Sequence, residues 1–245
     1  MKKYIIFILI AIVGWSLATT FKAIPFGADR RGDLNNPDKV AAYYLKESPE
    51  TLQTANSITA IVVNFRGFDT LGEVTVLFLA ATGLASILYR KEDDEEEKEA
   101  SKKDVERVRL PSSSLVRTGA KILFPLILLL GIYVFVHGHL TPGGGFQGGA
   151  IIATGFLLML ITYKHFETNH NVMVWLESLA GLSFVAVGLY GLFVYGSFLQ
   201  NTHSVGTLND LISGGLIPLI YIFIGIKVGT ELTNILDILL KIKKS

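Results

Sequence analysis

Cysteine is absent from all 245 residues. That absence excludes cysteine-ligated iron–sulfur clusters, disulfides and thiol chemistry within the chain. Any redox work must sit on partner subunits. An excess of one sign of charge is also missing: the formal net charge is +1, which gives no bulk preference for nucleic acid. Lys and Arg are missing from two stretches, His139 to Gln147 and Gly196 to Asp210. No metal-ligand spacing and no nucleophile–base pair in a soluble pocket is evident, so neither a metal site nor catalysis by the chain itself is expected, and no cofactor is called for. No internal repeat links 1–90 to 120–245, which ranks a stand-alone carrier built from two matching halves last among the readings.

What is present is apolar and arranged in runs. Half of the residues are hydrophobic, and the charges are segregated: long stretches carry almost none, while Arg90 to Arg117 carries many. A bilayer core requires about 20 mostly apolar residues per helix. Candidate spans are Tyr4 to Phe21, Val74 to Tyr89 (extended back to Asp69), Ala120 to Val136, Gly148 to Tyr163, Val172 to Tyr195 and Leu211 to Val228, the last open to helical continuation toward the C terminus. Lys2 and Lys3 ahead of the first raise the question of a signal peptide, but Ala18, Thr19 and Thr20 make a poor cleavage site, so a retained anchor is expected. Ile58 to Val63 is too short to span; it reads as a short or re-entrant helix or as the start of the second span. The expected fold is an all-α integral membrane protein of about six transmembrane helices in two units, 1–89 and 118–245, joined by a charged linker, 90–117, whose core Glu92 to Glu99 is nearly continuous acid.

With six spans the basic residues sort to one side. Lys2, Lys3, the linker cations, Lys164, Lys241, Lys243 and Lys244 fall together, which places both termini in the cytoplasm. The first loop on the opposite side runs against this, with Arg30, Arg31, Lys39 and Lys46.

Three constellations carry chemistry. In Asn64 to Glu73, Asp69 and Glu73 are four residues apart and share a helix face, and Arg66 lies one turn earlier. Asp69 fits an N-terminal cap as well as an ion pathway; Glu73 lies a turn deeper, where an ionisable group points to a pathway. In His137 to Gly149, Gly143, Gly145 and Gly148 match a dinucleotide-binding pattern in form, but no strand precedes them. Pro142 stops the third span, and Gly143, Gly144, Gly145, Gly148 and Gly149 around Phe146 allow tight backbone and close helix packing. His137 and His139 could relay protons; two residues apart, they face different ways, which disfavours joint metal ligation. The third set is Glu177 with Lys227 and, four residues on, Glu231. Lys227 reads either as snorkelling from the end of the sixth span or as an intramembrane cation facing a polar channel. Glu177 falls at similar depth, so a pair between spans five and six is open. The glycine pairs Gly144/Gly148, Gly145/Gly149 and Gly225/Gly229 suit close helix contacts, internal or with partners.

With its Pro-Gly-Gly-Gly-Phe-x-Gly-Gly core, His137 to Gly149 resembles the signature of the MnhB family, the B-type subunits of Mrp multisubunit Na⁺/H⁺ antiporters, and Ile224 to Gly229 resembles that family's last-helix segment. Arg66 to Glu73 resembles the small E-type subunits of archaeal membrane-bound hydrogenases, a module that also ends the large A-type subunits of Mrp antiporters. Together the resemblances cover nearly all of the chain outside the acidic linker. They imply a fused E-plus-B-like subunit of an antiporter, a membrane-bound hydrogenase or a sulfane sulfur reductase complex, sitting in the bilayer among other membrane subunits and handling Na⁺ and H⁺. Stand-alone MnhB proteins lack the first unit. A purely structural subunit that bridges the antiporter-like and redox modules is the competing reading.

Overall fold

In the computed structural model, residues 10–16, 18–19, 39–90, 112–163, 166–201 and 205–242 are described. Half of the first candidate span, the acidic core of the linker, Arg30, Arg31, Lys164 and the terminal lysines named above lie outside these residues or have undescribed side chains; 10–16 and 18–19 are helical. Two compact units are present, Met1–Tyr43 and Tyr44–Ser245. Among the described residues every regular element is helical: α1 (Val40–Glu50), α2 (Ser57–Ala60), a π-helical turn (Ile61–Phe65), α3 (Gly67–Arg90), α4 (Ser114–Val136), α5 (Gly145–Thr162), α6 (His170–Tyr195) and α7 (Ile217–Ile242). Five of these, α3 to α7, are long and apolar enough to cross a membrane.

Local chemistry sets the helix ends. Ser113 accepts from the Val116 amide to cap α4, and Asn169 accepts from Val172 to cap α6. α6 stops at Gly196, whose φ of +84° is the left-handed conformation common after a helix. The piece at Ile58 to Val63 is a short helix running into the π turn, closed by the Arg66 amide on the Ile61 carbonyl at 2.7 Å and separated from α3 by a break at Arg66. π turns are rare and concentrate at functional sites.

The sixth expected span needs correction. It begins at Ile217 rather than Leu211 and continues through Leu240. Leu211 and Ile212 are apolar but stand exposed in a loop, and Gly214 and Gly215, at φ +81° and +59°, break the chain before the helix starts. At its other end Glu231 and Asp237 look like a stop signal in sequence, yet both are buried inside the helix bundle.

α7 is the central helix. Half of its most apolar window is buried, against 11% for α3 and 17% for α4 and α6, and it packs on α5, α6, α3 and α4. Ile217, Ile220, Tyr221, Ile224 and Val228 line its core face against Ala60, Val63, Val74 and Phe184. The glycine motif brings helix backbones into direct contact: a Cβ on Gly148 would lie 2.6 Å from the Gly131 carbonyl of α4, and one on Gly149 would lie 2.8 Å from the Gly225 carbonyl of α7. The glycine faces of α5 and α7 thus close on one another and on α4 inside the chain, and they are not free for another chain.

Candidate functional site

Lys227 lies ten residues into α7, about 15 Å from its start at 1.5 Å per residue, and is only 7% exposed. It does not snorkel to an interface. With the helix running on to Leu240, the position that looks terminal in sequence is near the middle of an apolar helix. The Nζ atom lies 2.8 Å from Glu231 Oε2, one turn along α7, and 3.7 Å from Glu177 Oε1 on α6. The Phe78 ring of α3 covers it, centroid to Nζ 5.4 Å, at a cation–π distance. Three helices therefore meet at one ammonium. Glu231 is 1% exposed, and among the described residues its Oε1 has no hydrogen-bond partner.

The polar stripe continues along α7. Asn234 Oδ1 lies 2.8 Å from His170 Nδ1 at the start of α6, and the Asp237 carboxylate accepts from the Thr168 hydroxyl at 2.8 Å. Steps of four, three and three residues keep these side chains along neighbouring rows of one helix. Glu231 was visible from its spacing to Lys227; Asp237 and Thr168 carried no signal, because nothing in the sequence pairs residues 69 positions apart.

The remaining candidates sit elsewhere. Arg66 and Asp69 form an ion pair at 2.5 Å with both side chains more than half exposed on the chain surface. Glu73 is also exposed, on the outward side of α3 and within electrostatic range of Tyr221 rather than at Lys227. Phe146, at the start of α5, is exposed too. His137 caps α4, stacked on Tyr133 with centroids 4.3 Å apart, its Nδ1 lying 3.2 Å from the Tyr133 carbonyl.

A second polar focus lies at the loop end of the bundle. Asn56 caps α2 with its side-chain oxygen, and its amide nitrogen donates to the carbonyls of Gly138 and Thr141 at 2.9 and 3.0 Å. Thr59 donates to the same Gly138 carbonyl at 2.6 Å and accepts from the Tyr221 hydroxyl at 3.0 Å. The segment before α3 is thereby tied to the loop ahead of Pro142 and to α7. His139 is fully buried beneath the segment 205–216, and among the described residues neither ring nitrogen completes a hydrogen bond. Burial pushes its imidazole below the ordinary value of 6.5, partly opposed by the nearby backbone of Asp210 and assisted by His137.

Residues 9–104 match the MbhE family, the E-type subunits of MBH, and residues 115–234 match a domain related to the MnhB subunit of Na⁺/H⁺ antiporter. An uncharacterized protein of Methanocaldococcus jannaschii is 33% identical over 191 residues, covering 71% of this chain and 72% of that protein. A chain in the structure of the membrane-bound sulfane sulfur reductase, an archaeal respiratory membrane complex, superposes with a TM-score of 0.76 at 43% identity over 98% of this chain and 99% of that one. A chain of the Mrp complex from Dietzia sp. DQ12-45-1b superposes with a TM-score of 0.70 at 25% identity, covering 98% of this chain and 26% of that chain.

Proposed function

The chain belongs to the MnhB-related antiporter-subunit family, with an MbhE-type region in front, and from that premise we propose that it is a non-redox subunit that carries part of the Na⁺/H⁺ path of a multisubunit respiratory membrane complex. The observation that carries this reading is Lys227, buried at mid-helix and held to Glu231 and Glu177 across two apolar helices. A charge at the centre of a spanning helix costs a few kcal/mol on insertion scales and marks ion or proton routes. Packing alone does not call for it, since well-packed apolar residues serve a core as well or better.

In this proposal the unit 1–89 is the E-type part, 90–117 a cytoplasmic linker and 118–245 the MnhB-like part, with six spans and both termini in the cytoplasm. The chain works beside other membrane subunits. Asp69 and Glu73 support that placement: they face outward from this chain on a helix long enough to span, and acids are not left facing lipid tails. A neighbouring chain or a hydrated channel must cover them, and Glu73 forms the entry to the path on that side. His137 and Tyr221 lie at the same end. A hydrated carboxylate serves Na⁺ through oxygen ligation or a proton through exchange.

The test is ion-coupled transport by the assembled complex carrying Glu177→Gln or Glu73→Gln. Each variant keeps side-chain size and removes the charge. On the translocation reading both assemble and lose coupling at least tenfold; normal coupling in both leaves only a bridging role.

A further inference from the structure

The charges at the α6–α7 contact do not cancel. Lys227 brings one ammonium, while Glu231 and Glu177 bring two carboxylates, at 2.8 and 3.7 Å from it. Among the described residues the titratable neighbours do not close the difference. On α7, Asp237 adds another acid, already engaged by Thr168. On α6, His170 is within electrostatic range of Glu177, but it is exposed at the helix start and committed to Asn234. From α3, the group over the ammonium is the neutral ring of Phe78; of the two acids of that helix, Glu73 lies toward Tyr221 and Asp69 is paired with Arg66.

A surplus carboxylate inside an apolar bundle is neutralised by a bound cation or a proton. The second observation says where. Glu231 Oε2 takes the ammonium, and Oε1 of the same group, in a residue 1% exposed, is buried without a partner among the described residues. Buried polar atoms are partnered as a rule, so an open oxygen lone pair beside an unmatched charge is a binding position.

We propose that Lys227, Glu231 and Glu177 form a site that binds one exchangeable proton, with Glu231 Oε1 as its buried acceptor and Glu177 as its access point. The inference rests on the translocation reading above and names the ion this site takes. Binding forms one O–H bond and breaks none. The proton belongs to the carboxylate pair, since two acids sharing one cation titrate together. Glu177 is the access point because its side chain is 14% exposed, against 1% for Glu231. A sodium ion requires a shell of oxygen ligands. The Phe78 ring over the ammonium and Gly181 beside the Lys227 stem bring no side-chain oxygen to such a shell, which suits a proton.

The experiment is infrared difference spectroscopy of the assembled complex across a pH step, with and without Na⁺. Parent minus variant isolates the protonated-carboxyl band of this site. The band should vanish in both Glu231→Gln and Glu177→Gln, because one acid and one lysine then cancel. It should grow about twofold in Lys227→Met, where two acids face no cation. A band unchanged by both glutamine variants overturns the proposal, as does one abolished by Na⁺ at fixed pH, which would put the metal ion in the site. Should Glu231→Gln fail to assemble, Glu177→Gln reads the same count from the more exposed position. Transport is measured on the same samples: a band that behaves as expected with unaltered transport leaves the proton site standing and sinks the translocation reading.

Discussion

Lys227 and Glu231 form an ion pair within one helix, 2.8 Å apart, and the Glu231 side of that pair is 1% exposed. Removing one member strands the other. Lys227→Met should therefore lower the stability of the assembled complex by about 3–5 kcal/mol, the usual cost of breaking a buried pair, here met as the cost of holding Glu231 protonated. The double variant Lys227→Met with Glu231→Gln should recover most of that loss. Thermal inactivation of the three purified complexes checks the order; a double variant less stable than Lys227→Met alone would mean the pair is not the cause.

Tight packing at the glycine motif gives a second prediction. Gly148→Ala places a methyl group 2.6 Å from the Gly131 carbonyl, where backbone must move; overpacking of this kind costs about 1–3 kcal/mol. Gly72→Ala meets nothing within 4 Å in the chain. Assembly yield should fall for the first and hold for the second.

Asn56 has two separable jobs. Asn56→Asp keeps the oxygen that caps α2 but loses the donations to Gly138 and Thr141. Asn56→Ala loses both. The alanine variant should cost about 1 kcal/mol more than the aspartate, the typical worth of a cap. Hydrogen exchange should rise in the 137–144 loop for both variants, and in the first turn of α2 only for alanine.

His139 sets a pH dependence at the loop end. Its folded value lies below 6.5 because burial disfavours the charged ring. Above the ordinary value the ring is neutral folded or unfolded and contributes nothing. As pH falls below it, the unfolded segment takes the proton first, and stability is lost by up to about 1.4 kcal/mol per pH unit until the folded ring also titrates. Protection against hydrogen exchange across 205–216, taken relative to the intrinsic exchange rate at each pH, should fall below about pH 6.5 in the parent and hold in His139→Gln.

Much of this was legible in the sequence, and what was not has physical reasons. The apolar runs of α4, α5 and α6 announce themselves because lipid-facing helices need little charge. The start of α7 does not, because the exposed loop before it holds Leu211 and Ile212, as apolar as the helix itself. Its continuation is hidden by Glu231 and Asp237, which are tolerated only because tertiary partners meet them. The Glu177–Lys227 pair could be suggested from depth, whereas its third member gained significance only through burial. Asp69 and Glu73 share a face by spacing, but α3 is apolar on nearly every side, so periodicity could not tell which way that face points. The Asn56–Gly138 contact joins residues 82 positions apart, and no local pattern encodes it.

The central claim is that the Lys227 cluster lies on the ion path. The most direct test is Na⁺-dependent proton movement by the assembled complex in proteoliposomes, comparing the parent with the triple variant Lys227→Met, Glu231→Gln and Glu177→Gln. That variant removes the ammonium and both carboxylates that face it, so no charge of the cluster is stranded and assembly is preserved. The account predicts a complex of normal subunit content whose ion coupling falls at least tenfold across the pH range. Parent-level coupling by the triple variant would contradict it.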